Sequence, residues 1–275
     1  MKVSVIVTSY ATGESRLKRL VQSLDAQTLP PEDFEVILVD DGSPDNNVEL
    51  LNRAASTRKN YRVETMSNSG WPSRPRNVGM DLACGEYLAF VDHDDELGPD
   101  ALRAAYEFGV ANHADAVAGK EAHTTQPAWG LTTFTEDQAQ SIGRPDTHPL
   151  LPMNPHKLYR RAFLVENGIR FVEEGKVLWE DGLFNLEVSR HARVISTLSS
   201  VPYYHYVNEG VSASNQYRKE AKEYWYWLRR LIETGETPGE HDLELHREQA
   251  SQHQYVQRIL RVFSPAFAKR SPVSR

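Results

Sequence analysis

The chain has 275 residues, 40% hydrophobic and 25% charged, the composition of an ordinary globular protein with room for one large domain and an appendage. A net charge of −7 argues against nucleic acid as the main partner, and a lone cysteine, Cys84, excludes an intrachain disulfide and fits a reducing compartment. No apolar run approaches the ~18 residues of a membrane span, and the apolar stretch after Lys2 is too short for a signal peptide, so the expected location is the cytoplasm.

Strand and helix patterns alternate from the first residues. Residues 2–9 are a near-continuous β-branched run, as in a strand covered on both faces. Residues 14–27 place Leu17, Leu20, Val21 and Leu24 on one helical face, and Leu29-Pro30-Pro31 stops that helix. Residues 34–39 form a second buried strand, which runs into Asp40, Asp41, Gly42 and Ser43. A helix over 45–58 and a shorter strand over 61–66 follow. The segment 68–79 is rich in Gly and Pro and reads as a loop entering a helix that continues through Cys84. Its Arg74 and Arg76 either meet an anion or decorate a solvated basic loop.

The stretch 85–97 is the centre of the chain. An apolar strand opened by Gly85 runs straight into Asp92, His93, Asp94, Asp95 and Glu96, which delivers carboxylates to the C-terminal edge of a sheet, where open α/β sheets bind ligands. On extended backbone Asp92 and Asp94 share a face, and two oxygen ligands so placed suit a hard divalent cation such as Mg or Mn. The competing reading makes Asp94 or Asp95 the cap of a helix starting near Pro99. It accounts for one carboxylate, but three together repel unless a cation sits among them. Neither G-x-G-x-x-G nor a P-loop occurs, so a bound nucleotide has no glycine cradle, and the acidic strand ends need a bridging cation to tolerate a diphosphate.

Residues 99–112 read as a helix and 114–119 as a strand, so the fold class is α/β with a largely parallel sheet. Residues 120–155 are a polar excursion, read as acceptor-site loops. Regular pattern returns over 157–164. Glu180 and Asp181 follow Trp179 and precede a helical pattern, either as helix-end caps or with one acting as a base of tuned pKa. Residues 193–198 read as a strand and 203–215 as a polar-aromatic segment. Helices are expected over 217–232 and 242–262, joined by a Gly/Pro linker. Their aromatic faces are too large for a solvated appendage, so they should pack on the main domain or on a second copy of the chain. The ten histidines are dispersed, and His241 and His246 lack zinc-site spacing.

The first strand with Thr8-Ser9-Tyr10, then Val39 to Ser43, Pro75 to Gly79, Gly85 to Asp95, and Trp179-Glu180-Asp181 stand in an order and spacing that resemble the GT-A fold glycosyltransferases of family 2. The match spans about residues 1–215. Asn68-Ser69-Gly70 with Pro75-Arg76-Asn77 is most similar to the subgroup acting on wall teichoic acid polyols. The resemblance implies a catalytic domain over 1–215 and a C-terminal helical extension over 216–275, which matches none of the motifs. It implies that Tyr10, Asp41 and Asn68 hold the uridine of a UDP-sugar, that Arg76 contacts the donor, that Asp92 binds ribose or sugar, that Asp94 carries Mn or Mg on the diphosphate, and that Asp181, beside Glu180, is the catalytic base. The implied reaction is inverting transfer of GlcNAc or a hexose to a polyol-phosphate or glycan hydroxyl, at the inner face of the membrane without a span. The alternatives are a neutral or lipid-linked acceptor, a sugar nucleotidyltransferase, which lacks its glycine-rich basic loop here, and a non-catalytic sugar-nucleotide-binding protein. Arg74, Arg76, Lys157, Arg160, Arg161 and Arg170 flank the implied site and are expected to form a basic patch for a polyanionic acceptor; the simpler reading is that they balance nearby acids.

Overall fold

In the computed structural model the described residues are 1–124, 136–140, 150, 154–207, 226, 227, 229, 230, 233 and 234. The first four strands are β1 (Val3–Ser9), β2 (Phe34–Asp40), β3 (Tyr61–Thr65) and β4 (Tyr87–Asp92), with helices α1 (Glu14–Asp25), α2 (Asn47–Ser56) and α3 (Ser73–Leu82) between them. They lie in the order β3-β2-β1-β4, all parallel. Alternation sorts their side chains into two layers. Val3, Val5, Val7, Val36 and Leu38 join the four apolar α1 residues on one face, while Ile6, Ile37, Val39, Leu88 and Phe90 fill the other. Both faces are covered, which is why these strands read as unbroken apolar runs. Helix α3 begins inside the stretch read as loop and crosses β1 closely: a Cβ on Gly79 would stand 2.3 Å from Ile6 Cγ2.

The rest of the sheet adds β5 (Glu96–Leu97), β6 (Ala116–His123), β7 (Leu158–Arg160) and β8 (Ile195–Tyr206), with α4 (Ala101–Ala111), α5 (Arg161–Glu166) and α6 (Glu180–His191). The eight-stranded order is β3-β2-β1-β4-β7-β6-β8-β5. The sheet is α/β and mostly parallel, with antiparallel pairings at β4–β7, β6–β7 and β5–β8. Strand β8 is longer than the sequence pattern indicates, because Tyr203 to Tyr206 continue it along β6 and β5 instead of forming a separate loop. The polar stretch after 120 begins as strand, since β6 runs to His123; residues 125–135, 141–149 and 151–153 lie outside the described residues. So do 235–275, with the second expected C-terminal helix and His241 and His246. Of the first expected helix, Tyr226, Trp227, Arg229 and Arg230 are described and helical, and Trp227 is buried in the second layer. Among the described residues no helix is long and apolar enough to cross a membrane.

Candidate active site

Because β1 to β4 are parallel, their C-terminal ends share one edge: Ser9 stands beside Asp40, Asp40 beside Thr65, and Thr8 beside Asp92. The crevice where β1 parts β2 from β4 is the expected ligand position in such a sheet. Tyr10 leaves β1 with about half its surface exposed. Asp41 is buried; its Oδ1 accepts from Ser69 N–H at 2.8 Å and its carbonyl from Asn68 Nδ2 at 2.8 Å. Gly42 makes this approach possible: its φ is +65° and a Cβ there would lie 2.4 Å from Asn68 N. Asp40, next door, is occupied by Ser43 and Asn47 and closes the loop beneath. Asp41 and Asn68 are therefore one unit, with Tyr10 beside it at the end of the neighbouring strand.

A second group surrounds Arg76 in the first turn of α3. Its guanidinium is 4% exposed and donates to Asp181 Oδ1 at 2.6 Å, to Asp92 Oδ1 at 3.3 Å and to Glu180 Oε1 at 3.4 Å. Burial alone would lower its pKa, but Asp181, Asp92 and Glu180 outweigh that and hold it raised. The basic-loop reading of Arg76 is corrected by this burial. Burial pushes Asp181 up to about 7 against the pull of Arg76, with Glu180 and Asp92 adding to the rise. Trp179, just before α6, adopts the left-handed conformation with φ 58°, which sets Glu180 and Asp181 in the first turn. A non-glycine residue held there stores backbone strain.

The turn after β4 departs from the extended path expected for Asp92 to Asp94. Asp95 N–H bonds back to Asp92 O at 3.2 Å, so the chain reverses at His93-Asp94 and the shared-face argument does not hold. Nor does Asp94 or Asp95 cap α4, whose capping position is Asp100. Asp94 is half-buried, with its carbonyl accepting from Arg19 at 2.7 Å. Asp95 points back under the sheet, accepting from Tyr204 O–H and Val207 N–H, each at 2.8 Å.

His156 is the centre of this group and sequence reasoning missed it. It is 2% exposed, stacked on Tyr204 at 3.8 Å, and its ring nitrogens face Asp92 Oδ2 at 3.2 Å and Tyr206 Oη at 2.7 Å. Burial would raise the pKa of Asp92, but His156 and Arg76 hold it well below the carboxylate range. Burial and the charge of Asp92 push Asp95 up to about 8. Behind them Asn154 bridges buried Glu121 and Lys157, taking Nζ at 2.7 Å on its carbonyl and donating to Glu121 at 3.2 Å. Burial raises Glu121 and lowers Lys157.

Asp92, Asp95 and His156 offer ligand atoms all within 4.8 Å of one another, a carboxylate and imidazole cluster able to hold a metal ion. The donors fit a divalent cation: two crowded acids of which one stays protonated are what a bound charge of +2 relieves. Asp94 is not part of that cluster, and His205 pairs instead with Glu96 at 3.4 Å.

The expected basic patch is corrected for most of its members, while Arg74 is exposed. Arg160 pairs with Asp115 at 2.5 Å, Arg170 with Asp81 at 2.6 Å, Arg161 donates to Gly85 O, and Lys157 is buried. Arg160 also stands opposite Tyr87, at the end of β4 remote from Asp92.

Residues 4–147 match the family described as glycosyl transferase family 2. A poly(ribitol-phosphate) beta-glucosyltransferase of Bacillus spizizenii is 34% identical over 208 residues, 75% of this chain and 32% of that protein. The poly(ribitol-phosphate) beta-N-acetylglucosaminyltransferase TarS of Staphylococcus aureus is 34% identical over 234 residues, 84% of this chain and 40% of that protein. The chain thus spans well under half the length of these two relatives. The crystal structure of S. aureus TarS 1-349 in complex with UDP-GlcNAc superposes with a TM-score of 0.85 and 28% identity, over 99% of this chain and 77% of that one. A polar edge at the strand ends, a buried arginine joining three carboxylates and a matching family domain lead to one conclusion: this chain belongs to glycosyl transferase family 2.

Proposed function

We propose that the protein is an inverting glycosyltransferase that moves GlcNAc or a hexose from a UDP-sugar to a hydroxyl of a polyol-phosphate polymer of the teichoic acid type, working in the cytoplasm at the inner face of the membrane. The observation that carries the reading is the Arg76 group, which places a carboxylate of pKa about 7, Asp181, at the ligand edge of the sheet beside Asp92. In this assignment the acceptor hydroxyl oxygen bonds to the anomeric carbon while the bond to the diphosphate breaks, and its electron pair leaves with UDP. Asp181 takes the hydroxyl proton. One base without a covalent step inverts the anomeric centre, in line with the β products in the relatives' names. Tyr10, Asp41 and Asn68 hold uridine, Arg76 orients Asp181 and meets the donor, and Asp92 binds ribose or sugar. A divalent cation, Mn or Mg, supplies charge that offsets the charge growing on the diphosphate. Asp94 is the residue assigned to hold it, and the neighbouring Asp92, Asp95 and His156 cluster is the alternative position.

The polymer acceptor is supported by the relatives more than by surface charge, since Arg160 and Arg170 are paired with acids and Arg76 is buried among three. UDP release from UDP-GlcNAc and UDP-glucose, with Mn or with EDTA, should be stimulated by poly(ribitol phosphate), with sugar found on the polymer. If a neutral sugar or lipid is glycosylated and the polymer never is, the acceptor assignment fails. If sugar nucleotide binds and no acceptor releases UDP, the binding-protein reading replaces catalysis.

A further inference from the structure

The segment 169–179 carries no regular element, yet it leads directly into Glu180 and Asp181. Helix α3 holds one side of it. Asn77 donates to Phe171 O at 2.8 Å, accepts from Phe171 N–H at 3.0 Å and donates to Glu173 at 2.7 Å, and Arg170 pairs with Asp81. The other side is held by residues far along the chain. Glu174 receives Arg230 Nη1 at 2.5 Å and Tyr226 O–H at 3.2 Å. Trp227 is 4% exposed and belongs to the same apolar cluster as Phe171, Val177, Leu178 and Phe184. The Arg230 guanidinium lies over the Trp227 ring at 5.4 Å.

Phe171 connects this contact to the site. Its ring stacks on Phe184 of α6 at 4.2 Å and 4°, and the Arg76 guanidinium lies over it at 5.1 Å. Arg76 in turn bonds Asp181. The Glu174–Arg230 pair is solvent-exposed and contributes little to stability alone; its consequence lies in what it fixes together with the buried indole.

We propose that Tyr226, Trp227 and Arg230 are positioning residues, a clamp that fixes segment 169–179 so that Arg76 and Asp181 keep their catalytic geometry. The inference rests on the glycosyl-transfer reading. Asp41, after β2, and Asn68 and Ser69, in the loop after β3, are fixed by bonds to one another, and Tyr10 follows β1, all outside segment 169–179, so a loosened clamp lowers turnover and spares nucleotide binding.

The test uses the full chain with Trp227→Ala, Arg230→Glu, and the charge swap Glu174→Arg with Arg230→Glu. UDP affinity, turnover per UDP-binding molecule at saturating donor, and hydrogen exchange over 169–181 are measured. Each single variant should keep UDP affinity within about twofold and lose roughly tenfold or more in turnover, as misplacement of catalytic groups does. Exchange over 169–181 should quicken, and the swap and Trp227→Phe should restore most of both. Turnover per UDP-binding molecule and exchange both unchanged would overturn the clamp, as would activity lost only in proportion to the unfolded fraction. Should Trp227→Ala fail to fold, the surface variant Arg230→Glu carries the same test. A wild-type protein that transfers no sugar to any acceptor sinks the functional reading instead, and exchange then judges the clamp by itself.

Discussion

The two halves of the sheet are held in different ways. From β3 to β4 the ladder is continuous: β1 pairs with β2 over seven residues and with β4 over six, all parallel. From β7 to β5 short antiparallel ladders, β4–β7 of three residues and β6–β7 and β5–β8 of two, flank one long parallel pairing, β6–β8, of eight residues, whose register shifts around Gly119 to Glu121. What the ladder lacks there, side chains supply: His156 on Asp92, Tyr204 on Asp95, Asn154 between Glu121 and Lys157. The first half is a backbone template that sets the edge proposed to bind the donor. The second is a polar assembly, in which removing one group leaves others buried and unpaired, and substitutions there should cost activity and stability together.

The sharpest break is at the proposed base, Asp181. Asp181→Asn keeps the shape and removes the basicity, so turnover should fall by roughly 10²- to 10⁴-fold, while UDP-sugar affinity stays near wild type. In the parent protein kcat should rise with pH through about 7, because only ionised Asp181 accepts a proton, and the variant should lose that limb. Equal loss of affinity and turnover would make Asp181 a donor ligand.

Next is Arg76, which ties α3 and the end of β4 to the first turn of α6. Arg76→Ala strips the cation from Asp92, Glu180 and Asp181, and a broken buried ion pair costs about 3–5 kcal/mol. The cost depends on pH. Glu180 and Asp181 are already raised above their unfolded values by burial, so the folded state binds extra protons between the unfolded and folded values, and the stability fully present below the unfolded values is lost as pH rises through the folded ones. Without Arg76 those values rise further, and denaturant midpoints should drop more at pH 8 than at pH 5. A pH-independent drop would mean the acids relax into solvent.

The same division explains what the sequence made legible. Strands β1 to β4 and the α1 face follow from periodicity, because uniform burial writes itself as apolar runs and 3–4 spacing. Tyr10, Asp41, Asn68, Arg76, Asp92 and Asp181 were nameable through the family resemblance, because they lie in motifs whose order and spacing are written in the chain. His156 was not: it lies between a polar stretch and a three-residue strand, and only the long return of β8 brings Tyr204 and Tyr206 to it. The aromatic cluster 203–206 was the available signal, but its register along β6 is set by tertiary pairing. The same-face argument for Asp92 and Asp94 failed because a turn formed where an extended strand was assumed.

That turn makes the cation the next question. With Asp94 as its ligand, Asp94→Asn should remove the cation-dependent part of UDP binding, about tenfold or more in affinity, a difference of ~1.4 kcal/mol. His156→Phe retains a ring on Tyr204 but loses the bonds to Asp92 and Tyr206, a stability cost of about 1–3 kcal/mol, with the response to EDTA kept. The opposite pattern would move the ion to the Asp92, Asp95 and His156 cluster.

The smallest effect is expected at Arg160. It stands across β4 from Tyr87, at the end of the strand remote from Asp92, and its charge is spent on Asp115. Arg160→Gln should therefore leave the acceptor KM within about twofold and leave its dependence on ionic strength unchanged, because a polymer engaged at the site edge never meets a paired cation on the far edge. The stability cost should also stay within about 1 kcal/mol, since a third of the Arg160 side chain is exposed. Asp115 also keeps the N–H groups of Arg193 and Val194 on its other oxygen. A tenfold rise in acceptor KM with a flattened salt response would show that the polymer runs across the whole sheet, and that the second half of the molecule binds acceptor along its length rather than only at its polar cluster.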